Sequence, residues 1–239
     1  MSESKLTSDT TTGSKINFTV DGENKTAPAG VTVIEALRLN GKDIPGLCWS
    51  PGIEPCLGTC RVCAVKRNGR DAAACTQIIA EGDIIECASE NLNDVRKGVV
   101  ELLFSEGNHY CPGCEKSGDC ELQSVAYKMG MEHSRFPYSF THYDLDYRGQ
   151  HLLLERNRCI HCKRCTDLFV DDKGRKVFRF MGKGSETRVE MDHQLEQEMS
   201  LHKKKEVVSL CPTGAIILKG QGFDRPIGTR KNDVPGADR

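Results

Sequence analysis

The chain opens its regular structure with alternating apolar and polar residues in KINFTV, residues 15–20. This alternation predicts a strand with one buried face. The Asp21-Gly22 pair favours a turn into a second short strand. Thr32 is a candidate N-cap for a helix that ends at Gly41. Residues 15–41 therefore predict a hairpin followed by a helix.

Further strand patterns follow a cysteine-rich loop. Residues 61–76 predict a second hairpin that turns at Asn68-Gly69, and GDIIEC, residues 82–87, predicts another strand. Hairpin, helix, cysteine loop and further strands together indicate a small α+β fold, with the helix packed on a sheet.

Helical spacing of apolar residues appears in the middle and last thirds of the chain. Residues 91–107 and 121–130 predict two helices that enclose a loop rich in histidine and cysteine, and residues 190–206 predict a third helix. The inward faces expected for the first two helices consist of Val95, Val99, Leu102 and Leu103, and of Leu122, Val125, Ala126 and Met129.

Composition indicates that apolar packing is not the only source of stability. Only 38% of the 239 residues are hydrophobic, whereas 13 are cysteines. Small domains with thin cores are commonly held together by bound metal. The net charge of −1 gives no electrostatic footprint for nucleic acid or a membrane surface.

No apolar run approaches the roughly 20 residues of a membrane span. Residues 1–14 are polar, without the apolar segment of a secretory signal, and predict a disordered arm. We therefore expect a cytoplasmic protein, in which cysteines are more often metal ligands than disulfides.

The last cysteine group has ferredoxin-like spacing. Cys159, Cys162 and Cys165 form a Cys-x2-Cys-x2-Cys run, and Cys211 is followed by Pro212. Three thiolates from one loop and a fourth from a distance suit a [4Fe–4S] cluster. A zinc site is the alternative, although zinc sites usually pair two short Cys-x2-Cys segments. A two-cluster ferredoxin would need a second run, so this module is expected to hold one cluster.

The first cysteine group suits a [2Fe–2S] cluster held by a surface loop. Its candidate ligands are Cys48, Cys60, Cys63 and Cys75. Cys56 lies in the same loop, so spacing alone leaves open whether it replaces Cys48 or Cys60. Cys87 lies in a strand-like segment and is interpreted as a buried structural thiol.

The middle group contains His109, Cys111, Cys114 and Cys120. A [4Fe–4S] cluster with one imidazole ligand is the favoured interpretation, and the neutral imidazole would raise its reduction potential. A Cys3His zinc site and a nucleophilic Cys-His pair remain alternatives, although no substrate motif accompanies the pair.

These three groups, in this order, resemble the N-terminal part of the large iron–sulfur subunit of respiratory complex I and of related NAD-linked hydrogenases and formate dehydrogenases. The similarity is strongest to the small diaphorase subunits of soluble NAD-reducing nickel–iron hydrogenases. It extends over nearly the whole chain from about residue 15. The segments that carry it are PCLGTCRVC, AACT, FSEGNHYCPGCEKSGDCELQ, SRFPY, RCIHCKRC and DRPIGTRK. In complex I three residues separate the histidine from the first cysteine, whereas here Tyr110 alone does so, as in hydrogenase-type sequences.

The resemblance implies an α+β fold of three modules. A β-grasp, plant-type [2Fe–2S] ferredoxin domain would span residues 15–90, a helical His/Cys3 [4Fe–4S] module 91–134, and a ferredoxin-like [4Fe–4S] module 135–220. Residues 221–239 would form a partner-binding tail. The implied ligand sets are Cys48, Cys60, Cys63 and Cys75; His109, Cys111, Cys114 and Cys120; and Cys159, Cys162, Cys165 and Cys211, with Cys56 as a non-ligand.

The chain contains no Gly-x-Gly-x-x-Gly fingerprint and no Walker loop. We therefore expect an electron-transfer subunit that binds no substrate of its own. The resemblance implies a hetero-oligomer with a diaphorase large subunit that binds FMN and NAD(H), a hydrogenase small subunit and a nickel–iron large subunit. The alternatives are the same relay in a formate dehydrogenase or a complex I-like enzyme, and a zinc-bound structural scaffold.

Overall fold

The structure is a computed structural model that describes residues 14–139, 141–220, 222 and 226–233. The predicted arm at residues 1–14 lies outside these residues except for Ser14, as do parts of the predicted tail. Among the residues described, no helix is both long and apolar enough to cross a membrane.

The first module is a five-stranded sheet with a helix packed against it. From one edge to the other, its strands are Glu23–Pro28 (β2), Lys15–Val20 (β1), Ile84–Glu86 (β5), Ala64–Arg67 (β3) and Arg70–Ala73 (β4), and β1 and β5 are parallel at its centre. The predicted turn at Asp21-Gly22 is confirmed, since both residues have positive φ values, 48° and 84°. The elements are β1 (Lys15–Val20), β2 (Glu23–Pro28), α1 (Val33–Leu39), β3 (Ala64–Arg67), β4 (Arg70–Ala73) and β5 (Ile84–Glu86).

The helix α1 begins as the sequence predicts. The Thr32 hydroxyl accepts a hydrogen bond from the Glu35 backbone N–H, and the Glu35 carboxylate accepts one from the Thr32 N–H at 2.7 Å. This reciprocal capping box satisfies two N–H groups that the helix itself cannot. It fixes where the chain enters the helix, directly before the first cysteine loop.

Two helices form the second module, α2 (Glu90–Ser105) and α3 (Glu121–Lys128). The predicted inward face of α2 is partly wrong, because Val95 and Leu102 are 44% and 41% exposed. Three of the buried positions are instead polar, Arg96, Glu101 and Ser105. Each has its own partners, and a pattern based on hydrophobicity cannot detect them.

Arg96 fastens α2 to the first module. Its guanidinium donates to the backbone oxygens of Ala64 and Cys87 at distances between 2.6 and 3.0 Å. Apolar residues of α2 and α3 also belong to the same core as the sheet. The first two modules therefore pack around one continuous core.

The third module has its own core between two small two-stranded sheets and three helices. The predicted helix over residues 190–206 is wrong in its extent. Residues 188–191 form a strand, and the helix is broken near Met199, where Ser200 caps a new helix. The elements are β6 (Leu152–Leu154), α4 (Arg164–Asp167), β7 (Phe178–Met181), β8 (Arg188–Met191), α5 (His193–Glu198), α6 (Leu201–Leu210) and β9 (Ile216–Leu218).

The described part of the C-terminal segment lies on the second module of the same chain. Arg230 donates to the Ser117 backbone oxygen at 2.8 Å, and the Asn232 N–H donates to the Gly118 oxygen at 2.9 Å. Residues 226–233 thus cover the cysteine loop before α3. The partner-binding role predicted for the tail remains a prediction.

Candidate metal centres

The structure brings the first cysteine group together beneath a surface loop, residues 51–61. All four predicted ligands, Cys48, Cys60, Cys63 and Cys75, are at most 3% exposed. The sulfurs of Cys63 and Cys75 are 3.4 Å apart. Hydrogen bonds from the Cys60 and Cys75 thiols lower the pKa of Cys48 to about 2. The same hydrogen bonds raise the pKa values of Cys60 and Cys75, so ionisation of Cys48 is favoured over ionisation of these two neighbours.

The backbone of this loop takes left-handed conformations that bring it close to the sulfurs. Gly58 has a φ of 63°, and a Cβ there would lie 2.6 Å from Thr76 Cγ2. Arg61, between Cys60 and Cys63, has a φ of 58°. Positive φ is uncommon outside glycine and is often found at functional sites.

Cys56 also lies at this site. Its sulfur is 3.9 Å from that of Cys48, and the sulfurs of Cys48, Cys56 and Cys75 all lie within 4.8 Å of one another. Five thiols therefore surround a place where four are needed. Cys87 lies apart, and its thiol donates to Asp21 at 3.0 Å, as expected for a structural thiol.

The second group lines one small cavity of about 20 Å³ in the loop between α2 and α3. The cavity is bounded by all four predicted ligands together with Phe104, Arg158 and Gly214. The ligands are His109, Cys111, Cys114 and Cys120. The single residue between His109 and Cys111 does not prevent both side chains from reaching the cavity.

His109 is prepared to act as a neutral ligand. Burial, together with the nearby Arg158 charge, lowers its pKa to about 4, and its ring is hydrogen-bonded to the Leu103 backbone. Metal-binding histidines are neutral and commonly fix one ring nitrogen in this way, which leaves the other nitrogen for the metal.

The third group lines a second cavity of about 20 Å³, bounded by Cys159, Cys162, Cys165 and Cys211. His161 and Lys163, which separate the first three cysteines, have φ values of 52° and 64°. Backbone N–H groups of His161 and Arg164 are hydrogen-bonded to the sulfurs of Cys159 and Cys162. Each of these N–H groups favours negative charge on the sulfur that it contacts.

Burial makes several thiols of these two cavities difficult to ionise alone. It raises the pKa of Cys120 and that of Cys159 to about 12, and it also raises the pKa values of Cys162 and Cys165. A bound metal removes this penalty, because it supplies the positive charge that a buried thiolate needs. The donor sets, four sulfurs in one cavity and three sulfurs with one imidazole in the other, fit iron–sulfur clusters.

The loops that line the second and third cavities are in direct contact. The backbone oxygen of Pro212, the residue after Cys211, accepts from the N–H groups of Glu121 and Leu122 and lies 3.5 Å from the Cys120 sulfur. A Cβ at Gly214 would lie 2.8 Å from the Cys114 sulfur. The Cys-Pro segment of one candidate centre is therefore a wall of the other.

The sequence pattern did not predict a role for Arg158, Arg164 or Gly214. None has a recognisable spacing relative to the cysteines, since each acts across the boundary between modules. Arg158 lines the second cavity, and Arg164 bonds residues of the first and second modules.

Three known protein-family descriptions match successive parts of the chain. Residues 13–90 match the 2Fe-2S iron-sulfur cluster binding domain. Residues 96–135 match the NADH-ubiquinone oxidoreductase-G iron-sulfur binding region. Residues 149–217 match the NADH-quinone oxidoreductase subunit 3 ferredoxin-like domain. The chain therefore contains one [2Fe–2S] domain and two domains of the [4Fe–4S] type.

Similar proteins support the same arrangement. The HoxS gamma subunit of the NAD-reducing hydrogenase of Cupriavidus necator is 47% identical over 221 residues, covering 92% of this chain and 94% of that protein. The mitochondrial NADH-ubiquinone oxidoreductase 78 kDa subunit of Candida albicans is 29% identical and covers 87% of this chain, but only 29% of that protein is matched. A chain of the crystal structure of NAD+-reducing [NiFe]-hydrogenase in the H2-reduced state superposes with a TM-score of 0.82 at 38% identity, over 91% of this chain and 93% of that one.

Proposed function

The chain belongs to the family of the gamma subunit of NAD-reducing hydrogenase, and we propose that it relays electrons between a flavin site and a nickel–iron site. It is a non-catalytic electron-transfer subunit of an oxidoreductase complex. In the proposed direction, H2 is oxidised in the hydrogenase module and NAD+ is reduced in the diaphorase module.

The proposal assigns twelve ligands to three clusters. Cys48, Cys60, Cys63 and Cys75 would hold the [2Fe–2S] cluster. His109, Cys111, Cys114 and Cys120 would hold one [4Fe–4S] cluster, and Cys159, Cys162, Cys165 and Cys211 the other. The observation that carries this assignment is that two complete ligand sets each line a cavity of their own.

When bound, each cluster accepts and releases one electron at a time. The residues of this chain control the surroundings of each cluster. Leu122 and Phe104 give the second cavity an apolar lining, and Phe180 and Val189 do so for the third. Dry, apolar surroundings restrict water and help to set a reduction potential.

Hydrogen bonds within the ligand loops also determine the surroundings of the clusters. Backbone N–H groups directed at the Cys159 and Cys162 sulfurs stabilise negative charge there. The contact of Pro212 with Cys120 places the backbone of one ligand loop beside a ligand of the other. Such a contact supports a short route between the two [4Fe–4S] clusters.

The partners belong to the same proposal. The chain is a subunit of a hetero-oligomer, and we expect it to contact a diaphorase subunit that binds FMN and NAD(H) on one side. On the other side we expect the hydrogenase small subunit and then the nickel–iron subunit. We place the whole complex in the cytoplasm.

Elemental analysis of the native complex tests the terminal partner. The complex would be isolated anaerobically through a tag on this chain. Nickel together with abundant iron is expected. Molybdenum or tungsten would indicate a formate dehydrogenase, and iron alone would indicate a complex I-like or diaphorase assembly; either result would overturn the hydrogenase proposal. Zinc without iron would overturn the relay itself.

A further inference from the structure

Arg164 is a buried cation in the middle of the third cysteine loop. It is the first residue of α4 and lies between Cys162 and Cys165. Its exposure is only 5%. A buried arginine is costly unless its charge and its N–H groups find partners.

The guanidinium of Arg164 makes contacts with the other two modules. It donates to both carboxylate oxygens of Glu121, at 2.7 and 2.9 Å. The same group donates to the backbone oxygens of Trp49, at 2.9 Å, and of Gly46, at 3.3 Å.

These partners adjoin proposed ligands in the other two loops. Glu121 directly follows Cys120, and Trp49 directly follows Cys48. One side chain of the third loop therefore bonds to the backbone beside the first centre and to the carboxylate beside the second. Among the described residues, Arg164 joins all three cysteine loops.

The positive charge of Arg164 is incompletely compensated. The Glu121 side chain is 40% exposed, so solvent screens its carboxylate, whereas the Arg164 side chain is only 6% exposed. The Nε–H of Arg164 is buried and has no hydrogen-bond partner among the described residues. Cys162 and Cys211 lie close enough to attract this guanidinium when their sulfurs are ionised.

We propose that Arg164 is a positioning residue that fixes the three cluster loops relative to one another, and that its buried charge raises the reduction potential of the third cluster. This inference rests on the proposed ligand set Cys159, Cys162, Cys165 and Cys211. Reduction adds an electron to the cluster, and a nearby buried cation stabilises the added charge. The Nε–H of the same side chain has no hydrogen-bond partner among the described residues, so it is available as a further donor.

The full chain is purified anaerobically and its clusters are reconstituted. The test then compares redox titrations of wild type and variants, each followed by EPR. Arg164→Gln removes the charge, and we expect the potential of the third cluster to fall by at least a tenfold change in its reduction equilibrium, about 59 mV for one electron. Arg164→Lys keeps the charge but loses the bidentate contact with Glu121. The potential of its third cluster should therefore stay close to that of wild type.

Two further variants separate charge from structure. Glu121→Gln leaves Arg164 in place and removes its neutralising carboxylate, so the potential of the third cluster should rise. Arg179→Gln is the matched control. Arg179 is 59% exposed in the same module, and its loss changes the net charge equally but should leave the potential unchanged.

Iron content distinguishes failure of this inference from failure of the proposed function. A wild-type chain without iron would overturn the proposed function. If wild type and Arg164→Gln both hold full iron and their potentials agree, the role of Arg164 is refuted. If Arg164→Gln loses iron, Glu121→Gln decides, because a raised potential supports the inference and an unchanged one overturns it.

Discussion

At the candidate centres, burial makes the charged form of individual side chains unfavourable. Thiols such as Cys120 and Cys159 have raised pKa values because they are buried, and His109 is kept neutral for the same reason. The positive charge of a bound metal makes the thiolate more favourable than the thiol, and the metal binds the imidazole in its neutral form. The chemistry of the site is therefore encoded in the type of residue as much as in its position.

Replacing the cysteines of the first group one at a time distinguishes the ligands of the cluster from a cysteine that only lies beside it. Cys48→Ser should lose the [2Fe–2S] cluster, about two iron atoms per chain, because serine is a poorer ligand for iron than thiolate. Cys56→Ser should keep the cluster. Visible circular dichroism and iron analysis measure both effects.

Cys87→Ser is the control for this pair of variants, since the Cys87 thiol is buried but is bonded to Asp21. It should leave the spectrum of the cluster unchanged. If Cys56→Ser abolished the spectrum while Cys48→Ser retained it, the ligand assignment would be wrong.

A second prediction concerns the imidazole ligand. His109→Cys should retain the second cluster but lower its reduction potential, because a thiolate adds a negative charge where the imidazole is neutral. A redox titration followed by EPR measures the change. The control is His161→Ala, an exposed histidine in the third loop, which should leave this potential unaltered. A normal cluster with an unchanged potential in His109→Ala would refute histidine ligation.

Residue spacing in the sequence predicted which side chains lie together at each site, but it did not identify every ligand among them. The four cysteines that line the third cavity were all predicted from their spacing. Spacing could not separate Cys56 from Cys48, because both lie in one loop and their sulfurs end 3.9 Å apart. The ligand sets themselves remain predictions until cluster binding is measured.

At the scale of helices and strands, caps and turns were predicted well because they depend on neighbouring residues. The Thr32 cap and the Asp21-Gly22 turn are examples. The buried face of α2 was not predicted, because Arg96 and Glu101 are buried through partners far away in the chain, Ala64 and Arg135. Tertiary hydrogen bonds of this kind leave no periodic signal.

Asp146 is the polar centre that joins the start of the third module to α5. It is 4% exposed and accepts hydrogen bonds from Arg148 and Arg156, with His193 Nε2 at 3.1 Å. Burial alone would raise its pKa, but the hydrogen bonds from Arg148 and the charge of His193 outweigh burial and hold the pKa below its usual range.

We expect Asp146→Asn to destabilise the third module by on the order of 2 kcal/mol, because buried donors lose a charged acceptor. A carboxylate with a lowered pKa stabilises the fold above its unfolded pKa of about 3.9, and this contribution is lost as pH falls through the lower folded value. The difference in melting temperature between wild type and variant should thus not narrow between pH 8 and pH 5. Asp144→Asn, at an exposed carboxylate nearby, serves as the control. A difference that already narrows above pH 5 would contradict this account.

At the scale of the whole molecule, the three modules form two cores among the described residues, and the second and third candidate centres lie where modules meet. The order of the modules was predicted from the order of the cysteines. Their contacts were not, since Gly214 and Pro212 belong to one ligand loop and touch Cys114 and Cys120 of another. Such contacts depend on how complete modules pack.

Gly214→Ala tests this close packing. A Cβ there would lie 2.8 Å from the Cys114 sulfur and 3.2 Å from Lys116 Cβ, so the second loop must shift. We expect loss of the second cluster, about four iron atoms per chain, with the third cluster weakened less. Gly222→Ala is the control, because a Cβ at Gly222 meets nothing within 4 Å. Full iron and an unaltered EPR spectrum in Gly214→Ala would argue against a tight contact between the centres.

The most direct test of the central claim is a combined iron, sulfide and EPR analysis of the full chain purified without oxygen. Clusters of two, four and four irons predict about ten iron atoms per chain and three EPR signals that appear separately during reduction. A chain that holds zinc, or that holds iron for fewer than three clusters after complete reconstitution, would contradict the three-cluster account.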